Sequence, residues 1–268
     1  MKRTVPGILI AAAWLLLIIT GSFLLFWAAV LLIGFIGSRE YSRMAYPNLL
    51  YETDRIILAV IFSVPILVAV FAQHQLFRAS LGVLLAFVAM ICYLLYHNSR
   101  FENPLMILNR GILGILFVGF LASHLPMLRS LTDGVHWLVF LSAVTAGTDT
   151  CAYYIGCRWG KKKLCPSISP NKTVEGAIGG VIGGVSIAIL VSIIFRVPAG
   201  FFTLIVLAGS LSILGMLGDL FESIIKRGTG FKDSGTLLRG HGGILDRVDS
   251  LFFTAPFLYY ILIYSGFK

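Results

Sequence analysis

The sequence predicts an all-α, polytopic integral membrane protein with about nine transmembrane helices and a cytoplasmic N-terminus. Three observations carry that prediction. Of 268 residues, 58% are apolar and only 12% are Asp, Glu, Lys or Arg, whereas a soluble domain carries roughly 25% charged residues. The apolar residues fall into long runs bounded by charges, Gly and Pro. The basic residues, finally, are shared very unevenly between alternate connections. This composition excludes an ordinary soluble globular domain, a disordered chain and a fibrous repeat.

The first run, 6–20, follows Met1-Lys2-Arg3 and has the outline of a signal peptide. A second run, 22–38, begins after only Thr20-Gly21-Ser22, which favours a helical hairpin retained in the mature protein. Both are short for a bilayer core of about 30 Å, which takes about 20 helical residues. Further runs cover 56–72, 79–97, 111–128, 134–157, 176–195, 199–225 and 249–266. Nine spans from a cytoplasmic N-terminus place all but four of the 21 Lys and Arg residues inside. Only Arg78, Arg129, Arg196 and Lys268 fall outside, as the positive-inside rule expects. Topology, with anionic headgroups or nucleotide phosphate as partners, therefore accounts for the net charge of +9, and no nucleic acid is expected.

Cys92, Cys151, Cys157 and Cys165 form no CxxC pair and no zinc-like spacing with histidine, and read as inert small side chains. Gly176, Gly180 and Gly184, with Gly179 and Gly183, form overlapping small-xxx-small patterns. These suit helix packing, either within the chain or between the protomers of a homodimer.

The polar residues divide the chain. Residues 1–130 have short loops and little intramembrane charge, and read as scaffold or interface; residues 131–268 carry the two longest polar loops and read as the catalytic region. Asp219, Glu222, Asp233, Asp246 and Asp249, five of the 12 acids, lie close together near the C-terminus. Asp149 and Asp219 each lie within an apolar run, where an unpaired carboxylate costs at least ~2.5 kcal/mol and so calls for a polar cavity, a cation or a basic partner.

Asp219, Glu222 and Lys226 share one helix face, and Asp246 and Asp249 share another. Two acid-bearing helix ends separated by a basic, Gly-rich loop can close on one site. Carboxylates with open positions suit Mg²⁺, which completes its shell with water and substrate phosphate. The neighbouring bases Lys226, Arg227, Lys232 and Arg247 would neutralise phosphate oxygens; the plainer alternative is that they pair with the acids to cap helix ends. Gly240, Gly242 and Gly243 surround His241 and permit close backbone approach, with His241 read as positioning rather than transferring protons. Neither GxGxxG nor a complete Walker A loop is present.

The stretch Ser223-Ile-Ile-Lys226-Arg227, then Lys232-Asp233-Ser234-Gly235, then His241-Gly242-Gly243-Ile244-Leu245-Asp246-Arg247-Val248-Asp249 closely resembles the signature of phosphatidate cytidylyltransferases, or CDP-diacylglycerol synthases. Ser169-Pro170-Asn171-Lys172-Thr173-Val174-Glu175-Gly176 resembles the family's second polar motif, and Asp149 with Ala152-Tyr153, Gly156 and Gly160-Lys161 is similar to a third. The resemblance implies a multi-spanning, cytoplasm-facing enzyme of the inner or plasma membrane. It would join CTP to phosphatidic acid with Mg²⁺, and a second cation is compatible, releasing pyrophosphate and CDP-diacylglycerol.

The family's metal-binding acids carry over onto Asp219, Asp246 and Asp249, and its phosphate-contacting bases onto Lys226, Arg227, Lys232 and Arg247. Asp219, Lys226, Asp246 and Asp249 would form the catalytic set. Lys172, Glu175, Asp233, His241, Gly242 and Gly243 would complete substrate binding, Lys172 and Glu175 by nucleotide contact or loop ordering. One departure is Arg239, where the family pattern commonly has Pro two positions before His-Gly-Gly; Pro there would stiffen the turn. Two rival readings are a CTP-dependent polyprenol or lipid kinase, which transfers the γ-phosphate, and a cation-coupled transporter. The concentration of polar groups in loops rather than midway across the spans argues against the transporter.

Overall fold

The computed structural model describes residues 4–47, 51–70, 75–235 and 242–265. Over the described residues, each of the nine apolar runs coincides largely with helix. In chain order the helices are α1 (Thr4–Thr20), α2 (Phe23–Ala45), α3 (Glu52–Val68), α4 (Gln75–Tyr96), α5 (Pro104–Gly114), α6 (Leu121–Arg129), α7 (Gly134–Trp159), α8 (Val174–Phe195), α9 (Phe201–Gly228) and α10 (Leu245–Tyr264). A π-helical turn, Ile115–Phe120, joins α5 to α6, so that Pro104–Arg129 is one 26-residue rod.

Among the described residues, six helices are long and apolar enough to cross a membrane: α2, most of α4, the α5–α6 rod, α7, α8 and α9. The chain is therefore an integral membrane protein. Its outward side chains agree: Leu9, Leu16, Leu24, Ile178, Ile193 and Phe202 are all exposed, an arrangement hydrocarbon tolerates and water does not.

The interior is held by large apolar side chains, Trp137, Tyr41, Tyr259, Phe26, Phe62, Phe117 and Phe140 among them. Polar pins between helices supplement this packing, because lipid leaves no water to satisfy a buried donor. Trp14 Nε1 donates to Ser142 Oγ at 3.0 Å, tying α1 to α7. Trp27 Nε1 donates at 3.0 Å to the carbonyl of Ile66, one of the last carbonyls of α3, which lack an intrahelical partner. Tyr41 and Tyr46 hydroxyls donate to the carbonyls of Arg110 and Ile107 at 2.7 and 2.9 Å, while Arg110 Nη1 returns a bond to Ala45 O at 2.6 Å.

The glycine stripe of α8 packs against α7. A Cβ on Gly176 or Gly180 would press on Ala152, one on Gly183 would strike Cys151, and one on Gly184 would strike Thr148 and Ser212. The stripe thus serves packing within the chain, and Thr148 Oγ1 donates to Ser212 Oγ at 2.8 Å where α7, α8 and α9 meet.

Two features depart from the sequence-based expectations. The polar segment 158–175, expected as loop, contains a small antiparallel hairpin, β1 (Lys163–Cys165) with β2 (Ser169–Thr173), so the fold is not purely helical. Such short strands, one of them polar and proline-bearing, have no apolar alternation to announce them. The second apolar run, expected to end at 38, continues as helix to Ala45. The charges Arg39, Glu40 and Arg43 mark where it leaves the apolar run, not where the helix stops.

Candidate active site

The site is built where α9 and α10 meet. Gly215 and Gly218 let the two helices approach: Ser250 Oγ donates to the Gly215 carbonyl at 3.2 Å, and a Cβ on Gly218 would strike Phe253 and the Asp249 carbonyl. At this contact Asp219 and Glu222 from α9 and Asp249 from α10 bring carboxylate oxygens to within 4.8 Å of one another. Glu222 and Asp249 are buried and Asp219 is half-buried. Ser250 N–H donates to Asp249 Oδ1 at 2.7 Å, whereas Glu222 Oε1 is buried without a hydrogen-bond partner.

Two lysines approach the trio. Lys172, on β2, places Nζ 2.6 Å from Asp219 Oδ2. Lys226, one turn beyond Glu222, places Nζ 2.9 Å from Glu222 Oε2 and 2.6 Å from Asp246 Oδ1. Asp149 on α7 interacts electrostatically with Asp219, Lys172 and Arg247. In formal charge, the five acids Asp149, Asp219, Glu222, Asp246 and Asp249 outnumber the three bases Lys172, Lys226 and Arg247 by two. Three converging carboxylates, an orphaned buried oxygen and a deficit of two positive charges are what a hard divalent cation with oxygen ligands would satisfy.

Asp246 stands beside this trio, not in it. Its Oδ1 takes Lys226, and its Oδ2 accepts from Ser234 N at 3.0 Å, Ser234 Oγ at 2.9 Å and Gly243 N at 2.8 Å. Of the three acids carried over from the family resemblance, Asp219 and Asp249 converge, Glu222 fills the third place, and Asp246 clamps the loop between α9 and α10. Gly242 in this loop has φ +79°, a conformation that side chains rarely adopt. A Cβ on Gly243 would occupy the space of Ser234 Oγ and the Glu40 carboxylate.

The second clamp is Glu40, from the last turns of α2. Buried at 8% exposure, it accepts from Ser234 Oγ at 3.1 Å, Ile244 N at 3.0 Å and Leu245 N at 2.9 Å. It caps α10 from another helix, satisfying amides that no intrahelical carbonyl can reach. Sequence reasoning missed it because Arg39 and Arg43 flank it and suggest an ordinary charged helix end. Glu222 carried a signal, its shared face with Asp219 and Lys226, but was not given a ligand role.

The remaining residues lie around these clusters. Glu175, in the first turn of α8, accepts from Lys161 N at 2.9 Å and from Lys162 N at 3.1 and 3.2 Å, which orders the entry to the hairpin. Thr173 caps α8 by accepting Gly176 N–H at 3.1 Å. Arg227 Nε donates to the Ile168 carbonyl at 3.3 Å, joining the hairpin to the end of α9. Lys232, Asp233 and Arg247 are exposed. His241, with Arg239 and Gly240, lies outside the described residues.

Comparison with known proteins places the chain in a family. The family model described as "Cytidylyltransferase family" matches residues 1–265. The chain is 33% identical to a phosphatidate cytidylyltransferase of Bacillus subtilis (strain 168), with 97% of each chain covered. It is 35% identical to one of Staphylococcus saprophyticus, covering 97% of this chain and 98% of the relative. Over 147 residues, 54% of each chain, it is 48% identical to a phosphatidate cytidylyltransferase of Brucella suis. A match across almost the whole chain, at these identities, makes this protein a member of the cytidylyltransferase family.

Proposed function

We propose that the protein transfers the cytidylyl group of CTP to phosphatidic acid, forming CDP-diacylglycerol and pyrophosphate for phospholipid synthesis. The observation that carries this reading is the Asp219, Glu222 and Asp249 trio, ringed by bases at the polar end of apolar helices. The names of the relatives support the same reaction. In topology, nine crossings from a cytoplasmic N-terminus put the hairpin, the 229–244 loop and hence the site on the cytoplasmic side, where CTP is available. The positive-inside distribution supports that orientation.

Asp219, Glu222 and Asp249 would hold Mg²⁺. Bound there, the ion would supply Lewis-acid stabilisation to a phosphoryl group undergoing in-line displacement. An ionised oxygen of the phosphatidate monoester attacks the α-phosphorus of CTP. The new O–P bond forms as the bond to the β-phosphate bridging oxygen breaks, and pyrophosphate leaves with that electron pair. Because the attacking oxygen is already ionised at neutral pH, no side chain has to remove a proton.

Lys172 neutralises Asp219, and Lys226 fixes Glu222 relative to Asp246, so the acids keep one arrangement while substrate charge accumulates. Arg227, Lys232 and Arg247, at the exposed rim, meet the triphosphate and the departing pyrophosphate. Their charge is set in place before the transition state forms, which is where electrostatic catalysis gains most.

The test uses purified protein in detergent with phosphatidic acid, CTP and Mg²⁺. Equal yields of pyrophosphate and CDP-lipid, abolished by EDTA, are the expected result. CDP together with a newly phosphorylated lipid would replace this reading by the kinase. Cation-driven uptake into sealed vesicles without nucleotide consumption would replace it by the transporter.

A further inference from the structure

A second polar site lies beside the active site, on the far side of Glu40. A cavity of about 560 Å³ opens between the end of α2, the start of α3 and the Ser234-Gly235 segment. That volume is within the usual range for small-molecule sites, roughly 300–1,000 Å³. Its charged lining is Arg39, Glu40, Arg43, Glu52 and Arg55, and its apolar lining is Phe35 and Ile36. The charges stand at the ends of two apolar helices and so at the level of the membrane boundary.

The charges do not balance. Glu52 sits 3.3 Å from Arg39 and 2.6 Å from Arg55, holding two guanidinium groups around one carboxylate. Glu40 gives its oxygens to Ser234, Ile244 and Leu245. Arg43 is exposed and makes no ion pair among the described residues. Three guanidinium groups therefore face two carboxylates, a surplus of one positive charge, and Glu40 has its oxygens turned to neutral donors, so that Glu52 is the carboxylate that pairs with the guanidinium groups. Guanidinium forks match phosphate oxygens in pairs, and Phe35 and Ile36 offer apolar contact for what the phosphate is attached to.

We infer that this cavity binds the phosphate headgroup of an anionic glycerolipid from the adjoining leaflet, and that a doubly charged monoester is favoured over a singly charged diester. The site is distinct from the carboxylate trio and does not depend on the transfer reaction. It is nevertheless coupled to it in structure, since Ser234 both lines the cavity and donates to Asp246. A lipid phosphate seated on Arg39 and Arg43 would brace the wall that orders the catalytic loop.

The experiment is native mass spectrometry of the full-length protein in detergent, without CTP or Mg²⁺. The probes are dioctanoyl phosphatidic acid, dioctanoyl phosphatidylglycerol and inorganic phosphate. The wild type should carry one more phosphatidic acid per chain than the R39Q/R43Q variant. Phosphatidylglycerol should fill that extra position about threefold more weakly, as expected for one fewer exposed charge contact. Arg43→Lys, which keeps the charge but loses the fork, should fall between. Arg43→Gln alone carries the test if the double variant unfolds, because among the described residues Arg43 pairs with no acid that would be orphaned. Identical lipid counts in wild type and variants would overturn the site. Equal filling by both lipids would overturn the monoester preference, and displacement by equimolar inorganic phosphate would overturn a lipid ligand. A wild type that shows the extra lipid but no CDP-lipid synthesis would leave this site standing and remove only the proposed reaction.

Discussion

The carboxylate of Glu40, near the end of α2, accepts the backbone N–H of Leu245 at 2.9 Å, so that a residue of the N-terminal half caps the helix bearing Asp246 and Asp249. With Ile244 N it makes two charge-assisted bonds to the backbone in a buried setting, and it shares the Ser234 hydroxyl with Asp246. Each such bond contributes about 1.5–3 kcal/mol. Glu40→Ala strands the Ile244 and Leu245 amides, while Ser234 Oγ keeps Asp246 as acceptor, and is expected to cost about 3 kcal/mol or more, lowering both the unfolding temperature and turnover. Glu40→Gln keeps one acceptor oxygen and should lose about half as much. Thermal unfolding in detergent alongside turnover checks both, and a Glu40→Ala protein with wild-type stability would show that the cap carries no weight.

Asp246 and its neighbours Asp219 and Asp249 should separate by stability. Asp246 accepts four bonds, including one from Lys226, so Asp246→Asn removes a held charge and destabilises the fold by about 2–4 kcal/mol. Asp219 and Asp249 crowd Glu222, and like charges at that range repel. Asp249→Asn should therefore unfold at or above the wild-type temperature, and Asp219→Asn, which relieves the same repulsion but gives up its ion pair with Lys172, should lose less stability than Asp246→Asn, while turnover falls by about a hundredfold or more in both. Equal stability losses in all three variants would contradict the division between trio and clamp.

The position of the helices was legible wherever burial in lipid imposes a long apolar run, and over the described residues each of the nine runs coincides largely with helix, although the ends differ, as at Ala45 of α2. That Asp219 shares a face with Glu222 and Lys226, and Asp246 with Asp249, was legible too, because helical periodicity fixes which residues of one helix share a face. What periodicity cannot supply is partners far apart in the chain. Nothing near Glu40 announces Leu245, and nothing in the spacing of Asp246 and Asp249 tells which turns toward Lys226 and which toward Glu222. The hairpin was hidden for another reason: its strands are held by backbone pairing and by ties from Glu175 and Arg227, not by an apolar face.

Gly184 offers a test of what the glycine stripe is for. A Cβ there would meet Thr148 Oγ1, Ser212 Oγ and the Val144 carbonyl at the crossing of α7, α8 and α9. Gly184→Val should destabilise the protein by about 1–3 kcal/mol or more, the usual cost of overpacking, and leave its mass in detergent unchanged. A variant that is stable but alters the oligomeric state would assign the stripe to contacts between chains instead.

Glu222 decides whether the trio or the sequence-derived set holds the metal. Its Oε1 is the one buried carboxylate oxygen among the described residues that lacks a partner, while Oε2 is engaged by Lys226. Glu222→Gln leaves Lys226 paired with Asp246 and preserves the side chain's shape, so the expected damage is to cation binding more than to the fold. The Mg²⁺ concentration for half-maximal turnover should rise by about tenfold or more, equivalent to about 1.4 kcal/mol of ligand interaction. The Michaelis constant for CTP, measured at saturating Mg²⁺, should change far less. A Mg²⁺ titration of the variant that superimposes on the wild type would remove Glu222 from the ligand set. It would also return Asp246 to it, and Lys226 would then have to release Asp246 whenever the cation binds.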